Sequence, residues 1–170
     1  VDLLTEGFDI ALRIGELPDD AMLAARRLAD MSNGLYAAPS YLIEHGEPAS
    51  PDGLKQHKAV HLSGRNSEIV GWTLIKGEQR WEGTPPGQFS ANSPGLLVRM
   101  ACAGCGIVAA PDRFAHPYLR AGELRRVLPD WCLPSHTAWA VFAGRRLMPI
   151  KTRAFIDMLQ HALDDKPASS

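Results

Sequence analysis

The sequence has no apolar run approaching the roughly 18 residues that a membrane-spanning helix requires, so no membrane partner is expected. Its opening, Val1-Asp2-Leu3-Leu4-Thr5-Glu6-Gly7, lacks the basic start and the cleavage site of an export signal. An excess of either charge is missing too: 18 Lys plus Arg against 19 Asp plus Glu leave a formal net charge of -1. So balanced a chain has no general electrostatic footprint for a nucleic-acid backbone. Cysteine is scarce. Three residues are an odd number and too few for a disulfide scaffold, which favours a reducing, cytoplasmic setting. No phosphate-cradling loop, no G-x-G-x-x-G and no carboxylate pair at glycosidase-like spacing occur, and repeats and low-complexity segments are absent. Nothing calls for a metal or another cofactor. An initiating Met is lacking as well: residues 1–6 read as the tail of a helix closed by Gly7.

What is present is ordinary globular composition. The 170 residues are 45% hydrophobic and 22% charged, which argues against disorder and allows a real core. FDIALRI (8–14) reads as a strand and residues 16–21 as a loop. MLAARRLADM (22–31) leads into GLYAA (34–38), a second strand. Residues 40–46 form a helix with Ser40 near its N-cap, and Ser50-Pro51 starts another short one. KAVHL (58–62) is a strand. WTLI (72–75) and QRWEG (79–83) form a hairpin around a Gly-containing loop. QFSAN (88–92) is a strand, Ser93-Pro94 starts a helix that Gly104 or Gly106 closes, and GIVAAPD (106–112) is a strand that Pro111 stops. A helix over 113–122, interrupted by Pro117, precedes a strand within 123–131 and another at 136–144. Pro149 opens a final helix with Ile150, Ala154, Phe155, Met158, Leu159 and Ala162 on one stripe. Strands alternate with helices, so the fold class is α/β.

Three constellations could carry chemistry. Cys102-Ala103-Gly104-Cys105 has redox spacing, but it falls at a helix C-terminus, where the dipole raises a thiol pKa. With only Cys132 left over, a zinc ribbon is incomplete. The bland reading is two small residues packing a helix onto a sheet. Asn92-Ser93-Pro94-Gly95 places a Ser between strand and helix. It suggests a nucleophile elbow, with Asp112 or Asp130 as acid and His136 or His161 as base. Pro94 disfavours the αR conformation at Ser93, and no Gly-rich oxyanion loop precedes it. The milder reading is an anion-binding helix start. The pairs Arg26-Arg27, Arg125-Arg126 and Arg145-Arg146 are dispersed, as solvated faces are. Trp72 and Trp81 read as a cross-strand pair.

The ordered set of segments is more specific than any one of them. VDLLTEGFDIALRIGELPDD, LAARRLADMSNGLYAAPSYLIEHGEP and SPDGLKQHKAV, followed by GWTLIKG, FSANSPGLLVRMACAGCGIVAAPD, LRAGELRRVLPDW and AWAVFAGRRLMPIKTRAFIDML, cover essentially the whole chain. Together they resemble the effector-binding domain of LysR-type transcriptional regulators. The resemblance implies a type 2 periplasmic-binding-protein fold of two α/β subdomains: residues 1–38 with 138–170, incomplete at its N-terminus, and residues 39–137. It implies a small-molecule effector, with a carboxylate as one candidate, held in the cleft between the subdomains. The residues reaching that cleft would be Arg13, Ile14 and Gly15, Asn92, Ser93 and Pro94, and the strand end at Ala109, Ala110 and Pro111. It also implies a homodimer or higher homo-oligomer with region 113–128 in the interface, and DNA binding only through a helix-turn-helix outside these residues. No catalysis is implied. A transporter's solute-binding protein and a serine hydrolase built on Ser93 remain as alternatives.

Overall fold

The computed structural model of the chain describes residues 8–17, 23–64, 67–143 and 148–164. The helix tail expected over 1–6 and most of the 16–21 loop lie outside them. In chain order the elements are β1 (Ala11–Ile14), β2 (Leu23–Ala37), α1 (Pro39–His45), a 3-10 helix (Pro51–Gln56), β3 (Ala59–Leu62), β4 (Trp72–Lys76), β5 (Gln79–Gly83), β6 (Phe89–Ala91), α2 (Pro94–Cys102), β7 (Ile107–Pro111), α3 (Asp112–Arg120), β8 (Arg125–Val127), β9 (Leu133–Ala143) and α4 (Ile150–Asp164). The α/β class follows directly. The chain divides into two units: Val1–Met31 with Ser135–Ser170, and Ser32–Pro134.

The first unit is a sheet with β1 at its edge. β1 runs antiparallel to β9, with Leu12 opposite Ala140 and Ile14 opposite Ala138, and β9 neighbours β2. Leu28, Ala138, Ala140 and Ile156 form its core. Leu12 and Ile14 share a sheet face with the two buried alanines, yet they stand 59% and 64% exposed.

Two expectations change here. Residues 22–31 do not merely lead into a strand, because Leu23 already begins the 15-residue β2. Arg26, Arg27 and Asp30 mask its alternation in sequence. In the fold Arg26 reaches across to Asp157 and Gln160 of α4, at 2.7 Å each, and Arg27 pairs with Asp30. The apolar stripe read on α4 is also on the wrong side. Ile150 is 88% and Met158 60% exposed, and Ala154, Phe155 and Ala162 are exposed as well, whereas Thr152 and Ile156 are buried. The inward positions 152, 156, 159 and 163 keep helical spacing. Of the expected stripe only Leu159 joins them.

The second unit is a sheet covered on both faces. Its order is β2-β7-β3-β6, with β8 also paired to β2. β6, β3 and β7 are mutually parallel, which requires a crossover between β6 and β7, and α2 supplies it. The alternation of side chains along a strand sorts the core into two layers. Leu35, Ala37, Ala59 and Ile107 face Tyr41, Leu42, Leu54, Trp72 and Leu74. Tyr36, Val60, Val108 and Ala110 face Leu97, Val98, Ala101, Ala115 and Leu124. The hairpin of β4 and β5 belongs to the first layer, with Leu74 opposite Trp81.

Helix boundaries follow the local chemistry. The N-cap of α1 is Ala38 rather than Ser40, because Pro39 takes the first helical position, for which its fixed φ suits it. α2 closes through Gly104 at φ 79°, with Gly104 N donating to Ala101 O at 2.9 Å and Cys105 N to Met100 O at 3.1 Å. That left-handed position favours glycine. α3 runs through Pro117 without a break.

Candidate functional site

In the second unit the C-terminal ends of the parallel strands come out at one edge of the sheet. Val60 of β3 lies opposite both Phe89 of β6 and Val108 of β7, and Leu62 lies opposite Ala91. Two helices begin at this edge. α2 starts right after β6, and α3 right after β7. In open α/β sheets this is where ligands settle, because helix N-termini and free backbone N–H groups converge there.

The two helix starts differ chemically. α2 has Ser93 at its N-cap with extended backbone (φ -120°, ψ 115°), Pro94 in its first turn, no acidic residue there and no side-chain cap. Leu97 N bonds to Ser93 O at 3.1 Å, so the amides of Gly95 and Leu96 lie ahead of the intrahelical ladder. A Cβ placed on Gly95 would meet nothing closer than Ser93 Oγ at 4.0 Å. Asn92, Ser93 and Leu96 are exposed within this unit.

α3 carries an acid, Asp112, in its first turn, although no side chain caps its backbone amides either. Asp112 accepts hydrogen bonds from the Tyr36 hydroxyl at 2.5 Å and from Ser32 Oγ at 2.8 Å. Arg126 Nη1 donates to both Asp112 and Tyr36 Oη at 3.4 Å, and its guanidinium lies 5.8 Å from the Tyr36 ring centroid. Burial above all, and then the bond to Asp112, push the Tyr36 hydroxyl far above its ordinary pKa. Gly34 makes room for the cluster: a Cβ there would sit 2.7 Å from Tyr36 Oη and 2.9 Å from Arg126 Cζ. Beside it, Asn33 Nδ2 donates to Pro134 O at 2.8 Å.

The structure therefore brings Asn92, Ser93, Pro94 and Pro111 to one edge. Ala109 lies on the same strand as Pro111, but it packs on the first core layer. Arg13, Ile14 and Gly15 belong to the other unit, where Gly15 N donates to Thr137 O at 3.0 Å and Trp139 Nε1 to Gly15 O at 3.1 Å. The cluster of Ser32, Tyr36, Asp112 and Arg126 is new relative to the sequence reading. Its one sequence signal is an acid directly after a strand and at the head of a helix, in Pro111-Asp112.

The nucleophile-elbow reading gains nothing. Ser93 has ordinary extended backbone, not the strained turn of an elbow. Asp112 is engaged as described, and Asp130 pairs with Lys76 at 2.8 Å, which holds its carboxyl below the usual range. All three cysteines are free thiols. Cys102 ends α2, and burial first, then Glu123, raise its pKa, opposite to what a thiolate nucleophile needs. Among the described residues no helix is long and apolar enough to cross a membrane.

Comparison with known proteins places this architecture. Residues 1–164 match the LysR substrate binding domain. An HTH-type transcriptional regulator of Xanthomonas campestris pv. campestris is 38% identical over 163 residues, 94% of this chain and 47% of the relative. The structure of CrgA, a LysR-type transcriptional regulator from Neisseria meningitidis, superposes with a TM-score of 0.84 at 30% identity, covering 96% of this chain and 55% of that one. The full-length Vibrio cholerae virulence activator AphB gives a TM-score of 0.78 at 26% identity, over 91% and 52% of the two chains. The chain spans about half the length of the curated relatives it matches. These relatives are regulators, and neither the transport nor the hydrolase alternative draws support from them. The chain belongs to the LysR substrate-binding domain family and has the periplasmic-binding-protein-like fold of LysR-type regulatory domains.

Proposed function

We propose that the chain is the effector-sensing part of a LysR-type transcription regulator, and that it holds the polar or carboxylate end of a small effector with Ser93 and the first-turn amides of α2. The observation that carries this reading is the contrast between two helix starts at one sheet edge. α3 already has a carboxylate at its head, from Asp112. α2 has none, and it offers a hydroxyl with no side-chain cap bond and open space over Gly95. An incoming carboxylate would bring to the start of α2 the negative charge that Asp112 already places in the first turn of α3.

Asn92 and Pro94 would border that anchor, with Ala109 and Pro111 shaping the neighbouring strand end. Family resemblance adds Arg13, Ile14 and Gly15 to the effector set, with Arg13 as a source of positive charge. No bond is made or broken. Effector binding favours one of two pre-existing conformations and so changes how protomers sit together. The parent regulator would be a cytoplasmic homodimer or higher homo-oligomer, with residues 113–128 in its interface, and would reach DNA through segments outside this chain.

Calorimetry of the intact protein against a panel of small aliphatic and aromatic carboxylates tests the assignment. Ser93→Ala should weaken the best binder about tenfold or more, the cost of one hydrogen bond to a charged group, and leave the melting curve nearly unchanged. Unaltered affinity would remove Ser93 from the site.

A further inference from the structure

Beside the α2 start, the second core layer runs out into exposed apolar side chains. Val60 of β3 is 1% exposed within that layer. Leu62 comes two residues later, so it shares the sheet face of Val60, yet it is 36% exposed. It lies opposite Ala91 of β6, which packs on the same layer and precedes Ser93 by two residues. Val70 joins Leu62 from the segment 67–71. Its N–H donates to Leu62 O at 3.0 Å, and the neighbouring bridge sets Ser63 antiparallel to Ile69. Residues opposite one another in an antiparallel pair share a face. Val70, 44% exposed, therefore stands beside Leu62.

Strand geometry gives the spacing. Neighbouring strands lie about 5 Å apart, and residues rise about 3.3 Å along a strand. Leu62 is one strand over from Ala91, and Ser93 is two residues past it with extended backbone, so leucine and serine stand roughly 8 Å apart. A short hydrocarbon chain spans that gap. Further out on the same face the character changes. Gly64 N donates to Glu68 O at 2.9 Å, and the Glu68 carboxylate occupies the space that a Cβ on Gly64 would take. Along this edge a ligand meets amides and a hydroxyl, then hydrocarbon, then an acid.

We propose that the effector is a monocarboxylate with an apolar tail, and that Leu62 and Val70 are the residues that select it. This rests on the reading that Ser93 and the α2 amides hold its carboxylate. From that anchor the tail lies across the two side chains, and each methylene they cover adds affinity in proportion to the area removed from water. A second carboxylate at the far end would lose its water against Leu62 and Val70 and face the charge of Glu68. The anchor acts on the carboxylate and the wall on the tail, so the two contributions are separable by experiment.

Saturation-transfer NMR titrations of the intact protein with butyrate, pentanoate, hexanoate and hexanedioate test it. Hexanoate should bind with a dissociation constant of about 1 mM, reasonable for so small a molecule. Affinity should rise about two- to fourfold per methylene from butyrate to hexanoate, the gain for half to full burial of each group. Hexanedioate, of the same chain length as hexanoate, should bind at least about tenfold more weakly. Leu62→Ser and, independently, Val70→Thr, both at exposed positions, should flatten the series while far-UV circular dichroism stays unchanged. Ser93→Ala should weaken every member by the same factor and keep the slope. A flat series in the parent chain, a slope retained in both wall variants, or hexanedioate binding as tightly as hexanoate would each overturn the selection by Leu62 and Val70. Affinities unmoved by Ser93→Ala would instead remove the anchor, whatever the slope, and no binding by any member would overturn both.

Discussion

The Tyr36 hydroxyl donates a 2.5 Å hydrogen bond to the Asp112 carboxylate, tying β2 to the first residue of α3. Tyr36 is fully buried, and the bond ends on a charged group, so its loss is not absorbed by water. Tyr36→Phe should lower unfolding free energy by about 1.5–3 kcal/mol, the range for hydrogen bonds to charged groups. Urea denaturation measures this. A change below about 0.5 kcal/mol would mean that Ser32 and Arg126 hold Asp112 without help.

The same tyrosine sets an alkaline limit. Its folded pKa is raised above the ordinary value near 10, so above that pH the unfolded chain releases the proton first. Stability is therefore intact below about pH 10 and falls as pH rises through the folded value. Tyr36→Phe should flatten that fall relative to the parent chain. Equal alkaline slopes would rule the tyrosine out as its source.

Acid acts through His57. Its Nδ1 lies 3.3 Å from the Tyr41 hydroxyl, which accepts from Lys58 N at 2.8 Å and keeps its own hydrogen to offer a neutral imidazole. Burial first, and then nearby His45, lower the His57 pKa below 6.5. In the window just below pH 6.5 the unfolded chain binds the extra proton, so stability drops as pH falls, by at most about 1.4 kcal/mol per pH unit for one proton. His57→Gln retains an acceptor for Tyr41 and should reduce that slope. Chemical denaturation between pH 7.5 and 5 reads the difference, and an unchanged slope would place the acid sensitivity elsewhere.

The orientation of α4 is testable by paired truncations. Ile156 is fully buried against Leu28, Ala138 and Ala140, and Ile156→Ala should cost about 2–5 kcal/mol. Met158 is 60% exposed, and Met158→Ala should stay within about 0.5 kcal/mol. The reverse ranking would restore the stripe that the sequence suggested.

That stripe shows where sequence periodicity stops being decisive. α4 carries apolar residues on both sides, so a helical wheel offers two candidate faces, and only the sheet beneath chooses Ile156 over Ile150. β2 is hidden for another reason. Arg26, Arg27 and Asp30 break the expected alternation, and their partners lie on α4, on β9 or on the same strand. By contrast β3, β6, β7 and the β4–β5 hairpin are legible, because Pro, Gly and Ser punctuate short apolar runs. The start of α2 is legible for the same reason, through Ser93-Pro94. The α3 cluster is not, since Ser32, Tyr36, Asp112 and Arg126 meet only once β2, β7 and β8 are paired.

A crystal structure of the intact regulator with the tightest carboxylate from the calorimetric panel tests the central claim most directly. The expected result places the carboxylate oxygens within about 3 Å of Ser93 Oγ and the Gly95 or Leu96 amide, with Asp112 still held by Tyr36 and Ser32. A carboxylate bound away from the α2 start, with those amides facing only water, would contradict it.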